Sequence, residues 1–184
     1  MAATATKLIT AEEYGAMEDR TDGMTDELID GIVVIAEPLN KPIHGLACSN
    51  VGYQIGNYVH EHKTGWGSMR AGFILRRNPD TVRAPDLAFY SFERAPVALN
   101  RYTETAPDLA VEVLAPENST RYILDKVNDY FTAGVRLVWV VDPQENSVMA
   151  YSDAVRGVVY AEADTLDGGD VLPGFTCKVA DFFE

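Results

Sequence analysis

The sequence predicts an α/β fold, a central mixed β-sheet flanked by helices, with a short helix and a hairpin at its N-terminal end. Three observations carry this. Residues 109–114 and 136–141 are near-continuous apolar runs, the pattern of strands covered on both faces. Two longer segments around them place apolar residues at helical spacing. The order strand, strand, helix, strand then favours one layered sheet over a bundle or a sandwich.

The elements follow in order. Thr10 and Glu13 form a T-x-x-E capping box, which starts a short helix. Residues 27–36 read as a hairpin around Asp30-Gly31, a pair suited to a type I′ turn. Pro42–His62 reads as a long helix with the stripe Ala47, Val51, Ile55, Tyr58 and Val59. Residues 69–75 and 82–90 read as two strands around the turn Arg76-Arg77-Asn78-Pro79. After the strand at 109–114 comes a helix capped by Asn118 or Ser119, with Gly134 just past its end. Its stripe is Ile123, Val127, Tyr130 and Phe131. The strand at 136–141 stops at Asp142-Pro143, and two further strands, 148–151 and 158–161, precede a short terminal segment. The Gly- and Asp-rich stretch 164–170 reads as a plain loop. With 184 residues and no linker-like or low-complexity tract, residues 1–184 are expected to form a single domain.

Composition narrows the function. Fifteen Lys and Arg against 28 Asp and Glu leave a formal charge of −13. Such a chain has no overall attraction for nucleic acid or anionic lipid, so any polyanion site must be local or metal-dependent. Two cysteines, Cys48 and Cys177, make no disulfide framework and suit a reducing compartment. No signal-peptide pattern and no apolar run of spanning length is present, so the expected location is the cytoplasm, with no membrane partner.

Glu112 is the most informative position. A carboxylate inside a covered strand is costly unless it is paired or bound to a cation. It is therefore either half of a buried ion pair or a metal ligand or general base. Asp86, at the start of the preceding strand, is either turn chemistry or its companion, since neighbouring strands lie about 4.8 Å apart and two carboxylates can share one cation. Asp108 shares a face with Glu112, but four residues of strand span about 13 Å, too far to share one ion. Lys126 sits beside the apolar stripe of its helix, either snorkelling to water or aimed at the carboxylates. Arg70, Arg76, Arg77 and Arg83 crowd the stretch before Asp86, as strand-surface residues or as phosphate contacts.

Here the residues reach a resemblance. Glu27-Leu28-Ile29-Asp30-Gly31, His44 at a helix start, Ala84-Pro85-Asp86 and Val111-Glu112-Val113-Leu114-Ala115-Pro116 form one group of matches. The other is Lys126-x-x-x-Tyr130-x-x-x-Gly134-Val135 followed by Val138-Trp139-Val140-Val141-Asp142-Pro143. Together they resemble the Uma-type family of restriction-endonuclease-like proteins, a branch of the PD-(D/E)XK nuclease superfamily, over roughly residues 10 to 175.

The resemblance implies a restriction-endonuclease-like core with a divalent-metal site. It carries Asp86 and Glu112 over as acidic metal ligands and catalytic residues. The superfamily pattern puts lysine at position 114, where this chain has Leu114; Lys126 on the following helix is its replacement. Glu27 and His44 match auxiliary positions, as a third acid and a polar or base group, though a helix-start histidine satisfied by backbone reads equally well for His44. Hard carboxylate ligands select Mg²⁺ or Mn²⁺. Zinc is disfavoured, because His60 and His62 diverge around their helix and the cysteines are far apart in sequence.

The expected function is metal-dependent hydrolysis of phosphodiester bonds in nucleic acid, with DNA the leading substrate and Arg76, Arg77 and Arg83 as phosphate contacts. The alternatives are a nuclease-fold module that binds or assembles without cleaving, and a hydrolase of another phosphorylated substrate. A two-fold homodimer is a further expectation, from the apolar strands after Pro143.

Overall fold

The computed structural model describes residues 7–17, 24–38, 41–94, 100–116 and 118–184. The first helix, α1 (Ala11–Gly15), starts at the expected capping box: Thr10 Oγ1 accepts from Glu13 N at 3.1 Å, and the Glu13 carboxylate accepts from Thr10 N at 2.9 Å. Strands β1 (Met24–Ile29) and β2 (Ile32–Pro38) form the hairpin. Its turn residues Asp30 and Gly31 have φ of 54° and 74°, the two left-handed positions of a type I′ turn. The long helix α2 runs Pro42–His62, as the apolar stripe predicts.

The stretch after α2 departs from the two-strand expectation. The expected strand 69–75 is β4 (Phe73–Arg76), preceded by β3 (Gly65–Met69), which the sequence reading did not include, and the expected strand 82–90 is split into β5 (Thr81–Arg83) and β6 (Leu87–Ser91). β4 and β5 join the hairpin in a four-stranded antiparallel sheet of order β2-β1-β5-β4. β3 and β6 join the other sheet. The ribbon therefore crosses between sheets at residues 70–72 and 84–86, where Arg70 has a φ of 49°. Gly72 and Pro85-Asp86 mark breaks in the sequence, but nothing local says that the pieces on either side join different sheets.

The second sheet has the order β10-β9-β8-β7-β6-β3. It contains β7 (Leu109–Val113), β8 (Leu137–Asp142), β9 (Ser147–Tyr151) and β10 (Gly157–Tyr160). Only β7 and β8 are parallel, joined through α3 (Thr120–Thr132), so the sheet is mixed as expected. Ser119 caps α3 by accepting from Tyr122 N. Gly134, with a φ of 96°, follows its end.

Alternation along β7 builds the two sides of the core. Leu109, Val111 and Val113 face Val51, Ile55 and Tyr58 of α2, while Ala110 faces Ile123, Val127 and Tyr130 of α3. Residues 164–170 correct the loop expectation. Strand β11 (Thr165–Gly168) pairs with β12 (Leu172–Lys178), and fully buried Leu166 and Leu172 extend the α2-side core. One buried leucine in a four-residue strand is too short a pattern to register as a period. Ala150 of β9 and Tyr160 of β10 pack against this same α2-side core, while Val158 and Val159 stay exposed. Cys48 and Cys177 are both free. Among the described residues no helix is long and apolar enough to cross a membrane.

Asp108, at the start of β7, ties the sheet to its flanking loops. It is 1% exposed, accepts from Ser91 N at 2.8 Å, and pairs with Arg94 at 3.0 Å and Arg136 at 3.2 Å. Burial opposes its charge, yet the Ser91 N–H and the two guanidinium groups outweigh burial and hold its pKa below the ordinary value. A depressed carboxylate stabilises the fold above its unfolded pKa of about 3.9 and loses that effect as pH falls through the folded value. Asp108→Ala is expected to cost about 2 kcal/mol at pH 7, a buried-pair penalty discounted for two partly exposed arginines. Urea denaturation at pH 7 and pH 3 checks this. The gap between wild type and variant should shrink at pH 3, and a gap independent of pH would assign the loss to packing alone.

Candidate metal and catalytic site

The corner that passes the chain between sheets delivers Asp86. Leu87 pairs with Val111 across β6 and β7, so one step further along this register sets Asp86 opposite Glu112. Asp86 is held by backbone: Oδ2 accepts from Val113 N at 2.9 Å, and its carbonyl accepts from Arg70 N at 3.1 Å. His44, buried near the start of α2, places Nε2 3.4 Å from Asp86 Oδ2 and Nδ1 3.5 Å from Cys48 Sγ. Its ring thus faces side chains and not the helix backbone. Burial opposes the Asp86 charge, but His44 and the Val113 N–H outweigh it and keep the carboxyl below its ordinary pKa.

Glu112 is 5% exposed and sits in a compensated cluster. Lys126 Nζ lies 3.0 Å from each of its oxygens, and Tyr130 OH donates to Oε1. The buried ion pair foreseen for this residue is therefore present, and Lys126, 7% exposed, does not snorkel. Lys126 also lies 3.4 Å from Glu27 Oε1 and 5.2 Å from the centre of the Tyr122 ring. Glu27, buried on β1, accepts from Arg83 at 2.7 Å and from Tyr122 OH at 3.2 Å. Arg83 is in turn paired with Asp129 at 2.7 Å.

The charges in this cluster do not balance. Burial pushes Glu112 up to about 6, with the charges of Asp86 and Glu27 adding to the rise and Lys126 opposing it. Burial works against the Lys126 charge, but Glu112 and Glu27 outweigh it and raise the pKa above that of a free lysine. Leaving His44 aside, the carboxylates of Glu27, Asp86, Glu112 and Asp129 face only Lys126 and Arg83. The excess of two negative charges, all on hard oxygen donors, fits one divalent cation of the Mg²⁺ or Mn²⁺ type.

A second donor set overlaps it. His44, Cys48 and Asp86 offer ligand atoms within 4.8 Å of one another, a nitrogen, sulfur and oxygen combination of the kind zinc accepts. Burial, reinforced by Asp86, pushes the Cys48 thiol up to about 12, which disfavours the thiolate and weakens this set for zinc. The i,i+4 spacing of His44 and Cys48 on one helix was readable in the sequence.

The basic stretch before Asp86 is arranged differently from the phosphate-contact expectation. Arg76 pairs with Asp30. Arg77 is held by Glu12, Asp80 and Glu104 at 2.7, 2.8 and 2.7 Å. Arg83 is 3% exposed and locked between Glu27 and Asp129. Apart from Asp80, three residues from Arg77, the acids that hold these arginines are distant in sequence, which is why the stretch reads as locally basic. Tyr122, Asp129 and Tyr130 were the residues sequence reasoning missed. Tyr130 was read as part of the apolar stripe, and its place four residues after Lys126, on the same helix face, is the signal of its site role.

The family model described as "Uma2: Putative restriction endonuclease" matches residues 11–180. Among solved structures, a crystal structure titled as a putative nuclease belonging to DUF820 from Anabaena variabilis ATCC 29413 superposes with a TM-score of 0.78. It shares 19% identity and covers 95% of this chain and 97% of its own, a likeness of fold. No curated protein matches. The chain belongs to the Uma2 family and has a restriction-endonuclease-like α/β fold built on a central mixed sheet.

Proposed function

We propose that this protein is a divalent-metal-dependent nuclease that hydrolyses phosphodiester bonds, with DNA its first substrate. The observation that carries the reading is the convergence of Asp86, Glu112, Glu27 and Lys126 in one under-compensated cluster. Asp86 and Glu112 would hold Mg²⁺ or Mn²⁺, which when bound supplies a Lewis acid for the phosphoryl oxygen and lowers the pKa of a water. His44 and the Val113 N–H fix the Asp86 carboxylate. Tyr130 fixes Glu112 by donating to Oε1. Lys126 stays charged beside Glu112 and offers its ammonium to the negative charge that grows on the phosphate in the transition state. It takes the part that Leu114, partly buried against the α3-side core, has no chemistry to play. Glu27, braced by Arg83, keeps that ammonium in register.

Metal binding is the first consequence. Isothermal titration with Mn²⁺ should show one strong site that Asp86→Ala or Glu112→Gln weakens at least tenfold. A ligand must be deprotonated to bind, so with Glu112 near 6 the affinity should be flat above that pH and fall about tenfold per unit below it. Unchanged affinity in Glu112→Gln would remove the site.

Cleavage is the second. Supercoiled DNA, linear DNA and RNA are incubated with Mg²⁺ or Mn²⁺, with Asp86→Ala as control. Lys126→Met should keep most metal affinity but lose on the order of 10²–10³ in rate, the usual effect of removing one positioned charge donor. Asp125→Ala should change little, since Asp125 is exposed and meets only Arg121, at 3.8 Å. Equal rates for wild type and Lys126→Met would favour a fold that binds without cleaving.

A further inference from the structure

A cavity of about 690 Å³ opens on the same sheet face as the acid site, and none of Asp86, Glu112, Glu27, His44 or Lys126 lines it. Its lining includes Trp66, Ser68 and Tyr90 from β3 and β6, Gly72 from the corner, and Arg101 and Tyr102. Cross-strand register fixes the face. Trp66 pairs with Tyr90, Ser68 with Ala88, and Ala88 with Ala110, and Ala110 shares its side of β7 with Glu112. Four residues of β6 separate Tyr90 from Asp86, about 13 Å of strand.

The walls have a specific chemistry. Trp66 is 43% exposed and is braced edge-on by Phe92, with ring centres 5.8 Å apart. Gly72 has no side chain because Tyr102 lies across it, and an added Cβ would come within 2.7 Å of that ring. Ser68 Oγ is buried without a hydrogen-bond partner. Charge supplies an independent observation. Arg76, Arg77, Arg83, Arg94, Arg121, Arg136 and Arg156 all sit in ion pairs. Arg70 and Arg101 make none among the described residues, and both are exposed. Arg70 adjoins Asp86 through its backbone N–H, and Arg101 is part of the cavity lining. In a chain of charge −13, one such arginine in the lining of an aromatic cavity and a second at the neighbouring corner, two residues from Gly72, suit a ligand with a flat ring and flanking negative charge.

We propose that this cavity receives an unpaired nucleobase, stacked on Trp66, with Arg70 and Arg101 on the adjoining phosphates. The inference rests on the nuclease reading and sharpens it, because the preferred substrate becomes single-stranded or locally melted nucleic acid. A base inside a duplex has both faces covered by its neighbours and cannot stack on a tryptophan without leaving the helix. Stacking tolerates any base, so the cavity selects strand state and not sequence.

Tryptophan emission tests this apart from cleavage. Trp139, the other tryptophan, is fully buried, so a change in emission on adding nucleic acid reports Trp66. A 12-nucleotide oligothymidylate is titrated into the whole protein in EDTA at low salt, in parallel with its duplex with oligodeoxyadenylate. The single strand should quench emission, and the duplex should quench less and bind more weakly. By anisotropy of a labelled strand, Trp66→Ala should weaken binding about tenfold and Arg101→Ala several-fold. Tyr53→Ser should not, since Tyr53 is an exposed aromatic on α2 that lies outside the lining. Quenching without any metal-supported cleavage would support the cavity and overturn the nuclease reading. Cleavage by a protein whose emission and affinity are indifferent to strand state, or to Trp66→Ala, would overturn the cavity proposal and leave the metal site standing.

Discussion

Glu112 carries its charge into the middle of a covered sheet, and compensating that charge organises everything around it. Lys126 and Tyr130 reach it from one face of α3, at a spacing of one helical turn. Lys126 in turn needs Glu27, and Glu27 needs Arg83, which takes Asp129 back on α3. The chain of pairs closes on itself across β1, β5, β7 and α3. Such a network is costly to bury and is not the arrangement that would maximise stability, since apolar residues of similar size often serve better. Its excess of two negative charges is the feature on which the proposed metal site rests.

The corner between the two sheets has a comparable importance. By sending β4 and β5 to the hairpin sheet and β3 and β6 to the mixed sheet, the chain leaves Asp86 at the bend, held by backbone N–H and by His44. An acid in the middle of a regular strand would be fixed by the pleat alone. At a corner it is fixed by hydrogen bonds from β7 and α2, and its position is tied to Glu112 through Val113. The same corner contributes Arg70 and Gly72, so the acid site and the aromatic cavity are built from one irregular segment.

Electrostatics of the whole molecule add a constraint. Among the described residues most arginines are committed to internal pairs, so in a chain of formal charge −13 the arginines left to meet the proposed polyanion, beside a bound cation, are Arg70 and Arg101. Salt should therefore weaken association over only a few phosphate contacts, in contrast to proteins that track duplex backbones with long basic surfaces.

The sequence by itself determined the elements whose signals are local. The capping box at Thr10, the Asp30-Gly31 turn, the span of α2 and the Ser119 cap of α3 follow from side chains acting within a few residues. It also isolated Asp86, Glu112 and Lys126, because a carboxylate in an apolar strand and a lysine on an apolar helix face are both unfavourable without partners. The tertiary structure alone decided who those partners are. Arg76, Arg77 and Arg83 read as available because, Asp80 apart, the acids that hold them, from Glu12 to Asp129, lie far away in the chain. The split of the 82–90 run between sheets, the short C-terminal hairpin and the cavity beside Trp66 were likewise invisible. Each depends on which surfaces meet after folding, and burial and pairing are properties of that meeting, not of any one segment.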